Sequence, residues 1–241
     1  MLEIKNLTKK FGDKVAVDNI DLSVKSGEIY GFLGPNGAGK TTTIKMIVGM
    51  LMPDGGSISV DGIDAINDDV EAKRQIAYVP DSPEIYDIMT GRQYLNFIAD
   101  VFELSDEERN KQIDRYAEVF EMKENLDVMI AGYSHGMKQK IVIMGALIHS
   151  PKLLILDEPM VGLDAKSSFR LKEIMRALAN EGRTVFFSTH VMEVAENLCD
   201  RIGIINRGKI IAVGTLDEIK AAAKDTGSLE KIFLELTDDR A

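Results

Sequence analysis

The chain has one cysteine, Cys199, among 241 residues. No internal disulfide can form, which fits a reducing compartment, and Cys199 reads as a small buried apolar residue. Met1-Leu2-Glu3-Ile4-Lys5 lacks the apolar core of a signal peptide. Long hydrophobic runs are missing too. The longest beside a helix, Ile141–Ile148, falls far short of the roughly 20 residues that span a bilayer, so the chain is not expected to cross a membrane by itself. No internal repeat or low-complexity tract is present. Basic residues are outnumbered, with 29 Lys and Arg against 39 Asp and Glu and a net charge of −10. That balance argues against a nucleic-acid partner, since non-specific binding needs a basic footprint.

What remains is the composition of an ordinary globular protein, 45% hydrophobic and 28% charged, long enough for one large domain or two lobes. Ile20, Leu22 and Val24 alternate with polar residues, and Ile58 and Val60 do the same before Asp61-Gly62. Both read as half-buried strands. From about Thr90 to Ser150 the pattern turns helical. Thr90 with Gln93 and Ser105 with Glu108 fit capping boxes, and Ile113, Tyr116, Ala117 and Phe120 share one helical face. Beyond it, strands at Leu153–Leu156, Thr184–Ser188, Ile202–Ile205 and Lys209–Val213 alternate with a helix carrying Leu171, Ile174, Met175 and Leu178. Such alternation predicts a parallel α/β sheet, interrupted by a helical insertion between Asp81 and Ser150.

The chemistry centres on Gly34-Pro35-Asn36-Gly37-Ala38-Gly39-Lys40-Thr41. Its spacing is Gly, four residues, Gly-Lys-Thr, the pattern of a phosphate-binding P-loop. The apolar run Ile29–Leu33 precedes it as a strand, and Thr42–Val48 follows as a helix. Successive N–H groups and a helix N-terminus converge on an anion there. Lys40 adds a charge for the β- and γ-phosphates, and Thr41 offers a hydroxyl to Mg²⁺. Leu153–Leu156 then delivers Asp157 and Glu158 to a strand end, where α/β sheets bind ligands. Asp157 is a Mg²⁺ ligand candidate and Glu158 a candidate to polarise the attacking water. Taken alone, the pair also reads as a solvated acidic turn. His190, just past a strand, is placed to reach a γ-phosphate or the water, or to be structural. Ser134 is an N-cap whose helix start is a second anion site, or simply a cap. Gly162-Leu163-Asp164 reads as a turn capping the next helix.

Together these motifs resemble those of ATP-binding-cassette ATPases, along essentially the whole chain. Gly34–Thr41 resembles Walker A, with Thr42 beside it, and Leu153–Glu158 resembles Walker B with its catalytic glutamate. Ser134-His135-Gly136-Met137 resembles the signature, Gly162–Asp164 the D-loop and His190 the switch histidine. Phe11 sits where the family stacks an aromatic on adenine, and Val17 is a further nucleotide contact the resemblance implies. The implied fold is a P-loop, RecA-like core with an N-terminal antiparallel β subdomain and an inserted helical subdomain. The implied divisions are 1–85 and 151–225 for the core with the β subdomain, 86–150 for the helical subdomain and 226–241 for a tail.

The implied cofactors are ATP and Mg²⁺. The implied mechanism closes two cassettes, identical or sister, head to tail around two ATP molecules, with Ser134, Gly136, Met137 and Asp164 serving the partner's nucleotide. Two positions depart from the family. His135 and Met137 replace a glycine and a glutamine of the signature. Asp81 stands where the Q-loop has a glutamine, as a candidate to hold a Mg²⁺-bound water. With the ending Gly227–Thr237, these departures resemble bacterial ATPases of antibiotic, multidrug and sodium exporters. That subgroup works with separate membrane subunits, at the cytoplasmic membrane face. The contact with such a permease is expected around Asp81–Phe102, with Tyr86, Met89 and Tyr94 as surface candidates that also read as core. Relatives in repair or translation usually carry two cassettes or a long coiled-coil insertion, and no heptad run is present here. Asn206-Arg207-Gly208-Lys209 lacks the acid expected to read guanine.

Overall fold

The computed structural model describes residues 1–83, 85–223 and 228–237. The expected core-to-tail boundary at 225/226, Gly227 of the ending motif and the last residues of the tail lie outside them.

Two sheets form the frame. Strands β1 (Leu2–Phe11), β2 (Lys14–Val24), β4 (Gly55–Val60) and β5 (Ile63–Asp64) make an antiparallel sheet in the order β2-β1-β4-β5. The larger sheet holds β3 (Ile29–Leu33), β6 (Ile76–Val79), β7 (Leu153–Asp157), β8 (Thr184–Thr189), β9 (Arg201–Asn206) and β10 (Lys209–Gly214), in the order β10-β9-β3-β8-β7-β6. Its pairings are parallel except for the β9–β10 hairpin. Helices α1 (Lys40–Ile47), α2 (Asp69–Arg74), α6 (Ala165–Asn180), α7 (Met192–Leu198), α8 (Leu216–Ala223) and α9 (Leu229–Thr237) flank these strands. Helices α3 (Gly91–Val101), α4 (Asp106–Val119) and α5 (His135–Ile148) lie between β6 and β7 in the chain.

Both faces of the central strands are covered, which is why they read as unbroken apolar runs. Alternate residues enter different cores. Leu154, Leu156, Val185 and Phe187 pack with α3, α4, α5 and α6. Leu153, Ile155, Phe186, Tyr30 and Phe32 pack against α1 and the antiparallel sheet. Phe186 stacks on Tyr30 at 5.7 Å and tilts against Phe32 at 5.4 Å. Each fully buried side chain of this size contributes about 1.5–3 kcal/mol. Cys199 is only partly buried but packs as an apolar residue, its sulfur against Gly31 of β3 and its thiol pKa raised chiefly by burial.

The helix caps follow the sequence with one difference. At α3, Thr90 and Gln93 form the complete reciprocal box. At α4 only half of it forms, with Ser105 Oγ accepting the Glu108 N–H at 3.3 Å. The C-terminal ends of α3 and α5 are joined by an aromatic stack, Phe102 on His149, with centroids 3.6 Å apart and planes 5° from parallel. Burial lowers the His149 pKa from its ordinary 6.5 to about 4. The folded state therefore resists a proton that the unfolded chain accepts, and stability falls as pH drops from 6.5 to about 4. The His149→Phe variant, which keeps the stack, should be less sensitive across that window. Melting temperatures of the two proteins measured between pH 7 and 4 check this, and parallel curves would count against it.

Candidate functional site

The strand order assembles the site. β3, β8, β7 and β6 are consecutive neighbours and parallel, so their C-terminal ends share one sheet edge, where α/β folds bind ligands. The P-loop leaves β3, Asp157 and Glu158 end β7, Ser188, Thr189 and His190 end β8, and Asp81 follows β6. The P-loop and the three acids border a cleft of about 300 Å³ lined by Phe11, Lys14, Ala16, Pro35, Asn36, Gly37, Gly39, Lys40, Thr41, Thr42, Asp81, Asp157 and Glu158, and His190 reaches it through Glu158.

The P-loop conformation rests on Gly39. Its φ of +114° and the 2.7 Å that would separate a Cβ from the Ala16 carbonyl leave room for glycine alone. Gly34 and Ala38 support the loop from beneath. Ala38 is 3% exposed, and its N–H donates to the Pro35 carbonyl at 3.1 Å. Lys40 Nζ donates to the Gly34 carbonyl at 2.6 Å and stands 3.7 Å from Glu158 Oε1. Burial lowers the Lys40 pKa, against the opposing charges of Glu158 and Asp157.

Asp157 is fully buried. Its Oδ1 accepts the Ser188 hydroxyl, and its Oδ2 has no hydrogen-bond partner. Burial is the main cause raising its pKa; the Ser188 and Thr41 hydroxyls lower it, and the charges of Asp81 and Glu158 raise it further. An unpartnered buried carboxylate oxygen beside a hydroxyl, with a second carboxylate close by, suits a hard cation. Among the described residues no group of three or more acidic, histidine or cysteine side chains forms a metal cage. Mg²⁺ takes one or two carboxylates and completes its shell with waters and phosphates.

Glu158 takes a left-handed backbone, φ +48°, an uncommon conformation of the kind that collects at active sites. It is pinned by its N–H to Ser188 Oγ at 3.1 Å and by its carbonyl, which accepts from Val161 N–H. His190 Nδ1 lies 3.0 Å from Glu158 Oε1. A carboxylate held between an ammonium and an imidazole beside a phosphate loop is equipped to take a proton from water.

One sequence expectation changes. Val17, read as a nucleotide contact, is fully buried and packs beneath Gly39. The β2 residues at the cleft wall are instead Lys14 and Ala16. Phe11, by contrast, lies half exposed at the cleft. Ser188 was missed as a site residue; its tie to Asp157 comes from strand register, which no local motif encodes.

Ser134, Gly136, Met137 and Asp164 do not line this cleft. Ser134 caps α5 by accepting the Met137 N–H at 3.3 Å, and the Met137 side chain packs into the helical core. The turn at Gly162 lies directly against this helix end. A Cβ on Gly136 would meet the Gly162 carbonyl at 2.7 Å, and the His135 ring covers Gly162. Asp164 caps α6 through Ser167 and pairs with Lys140 at 2.9 Å. The Lys140 bond, followed by those from Ser167, holds the Asp164 pKa well below the carboxylate range. The capping reading of Asp164 therefore holds.

A parallel sheet with a glycine-rich anion loop, a buried acid and a pinned glutamate at one edge defines a P-loop nucleoside triphosphatase. Residues 17–161 match the family model for ABC transporters. The linearmycin resistance ATP-binding protein LnrL of Bacillus subtilis (strain 168) is 41% identical over 219 residues, covering 91% of this chain and 70% of LnrL. A solved ATP-binding subunit of an ABC transporter superposes with TM-score 0.95 at 34% identity, over 99% of this chain and 100% of that one. An ATP-binding cassette solved as a post-hydrolysis dimer with ADP and Pi gives TM-score 0.82 at 26% identity, over 90% and 99%. The chain belongs to the ATP-binding, ATP-hydrolysing proteins of the ABC transporter family.

Lys40→Ala should weaken ATP binding roughly ten- to hundredfold, the scale of losing one charged hydrogen bond. Titration with a fluorescent ATP analogue measures it, and an unchanged curve would contradict the P-loop assignment.

Proposed function

We propose that this chain powers a membrane exporter by closing head to tail with a second copy of itself around two ATP molecules and reopening after hydrolysis. The observation that carries this reading is the separation described above. The helix end at Ser134, suited to a phosphate, lies outside the chain's own phosphate cleft, so it can complete a site only in another protomer. The dimeric form of the ADP- and Pi-bound cassette supports the pairing of two copies. Export is supported by the drug-resistance function in LnrL's name.

Within the closed pair, Lys40, the P-loop N–H groups and the α1 N-terminus hold the phosphates. Phe11 flanks the base. Thr41 and Asp157, with Asp81 through a water, would hold Mg²⁺, which neutralises phosphate charge when bound. Glu158 accepts the proton of the attacking water, and His190 holds Glu158 and meets the γ-phosphate. Ser134 Oγ and the N–H groups of Gly136 and Met137 reach the same phosphate from the partner copy. Met137 contributes backbone alone, because a thioether cannot replace the glutamine amide.

Among the described residues no helix is long and apolar enough to cross a membrane, and the partner of this reading is a membrane permease. The surface proposed for it is the Asp81–Phe102 region, as an attachment at the cytoplasmic membrane face. Tyr86 and Ile88 are exposed there, and Tyr86 meets Phe97 edge-on at 6.2 Å. Met89 and Tyr94 pack against the helical core instead, and burial lifts the Tyr94 pKa to about 12.

Glu158→Gln should retain ATP binding, lose at least about a hundredfold in hydrolysis and accumulate as a dimer with ATP and Mg²⁺. Steady-state turnover and sedimentation test this, and near-normal turnover would remove Glu158 from its role. Affinity capture of a tagged copy from native membranes should bring a multi-span protein with it, whereas recovery of the chain alone would oppose the transport assignment.

A further inference from the structure

We propose that Asp87 is a positioning residue for the phosphate-binding end of α5, bracing it on both sides of Ser134. Its main-chain carbonyl accepts the Ala131 N–H at 3.1 Å, three residues before Ser134. Its carboxylate accepts Lys138 Nζ at 2.6 Å, four residues after it. The contact continues along the loop. The Met89 carbonyl accepts the Ile130 N–H at 2.9 Å, and Thr90 pairs with Met129. The opposite flank of the same helix end is held by Lys140 on Asp164 and His135 on Gly162.

The first two turns of α5 are thus clamped between the loop at 85–90 and the turn at 162–164. A helix N-terminus binds an anion through directed N–H groups, so its orientation decides whether Ser134 and Gly136 meet a phosphate carried by another protomer. Tyr86 and Ile88, 57% and 81% exposed, flank the bracing residue. The brace therefore joins the surface proposed for the membrane partner to the phosphate-binding helix end. This inference rests on the two-protomer reading above.

An ion pair at the surface contributes little to folding, and that separates a brace from a mere structural contact. In the Glu158→Gln background, Asp87→Asn and Lys138→Met should each weaken ATP- and Mg²⁺-driven self-association about three- to thirtyfold. The melting temperature, and the ATP affinity of dilute monomer, should stay at the parent's values. Exchanging the charges, Asp87→Lys together with Lys138→Asp, should recover most of the loss. Sedimentation equilibrium, thermal melting and nucleotide titration read the three quantities. Single variants that associate like their parent, a loss that tracks melting temperature, or an exchange variant that recovers nothing would each overturn the brace. A Glu158→Gln parent that binds ATP and stays monomeric would instead overturn the two-protomer reading, and the brace with it.

Discussion

The hydrogen bond between Ser188 and Asp157 ties the two central strands of the site together. The register of β7 on β8 sets these residues side by side. The bond leaves one carboxylate oxygen buried and unpartnered, a costly state for a lone acid and a useful one for a site that receives a cation. The same hydroxyl accepts the Glu158 N–H and so helps to fix the left-handed turn that brings that side chain to Lys40 and His190. One serine thereby orients both acids. The two cores on either face of the sheet keep the strands at this register, since a shift of one residue would turn every side chain to the wrong face.

The chain's economy lies in its topology. A parallel sheet puts every strand's C-terminal end at one edge, so motifs far apart in sequence become neighbours in the cleft. The helical insertion between β6 and β7 carries the Ser134 helix end, proposed to meet a partner's phosphate, away from that cleft and docks it on the Gly162 turn. The turn begins only a few residues after Glu158, and Asp164 within it pairs with Lys140 of α5. The parts that serve a chain's own nucleotide and those suited to a partner's are therefore linked by one short segment.

The departures from the family pattern have physical readings here. His135, in place of glycine, lays its ring over Gly162 and fills space at the helix–turn contact. Met137, in place of glutamine, turns inward and adds apolar packing, leaving its N–H bonded to Ser134. Asp81, in place of glutamine, adds a negative charge near Asp157. A triphosphate entering this cleft meets three carboxylates, which strengthens the demand for a compensating cation.

The sequence by itself determined the elements and the chemistry that local pattern controls. The P-loop, the capping box at Thr90, the Ser134 cap and the acid pair after an apolar run were legible because glycine conformations, helix caps and buried strands are short-range constraints. It also gave the fold class, since apolar runs alternating with amphipathic helices have few ways to bury their surfaces. Only the tertiary structure decided that Ser188 holds Asp157 and that Val17 lies under the loop while Lys14 and Ala16 face the cleft. It alone placed Asp164 against Lys140, and the Ser134 helix end outside its own cleft. These depend on strand register and on which side of a packed layer a residue falls, relations between distant segments that no local spacing encodes.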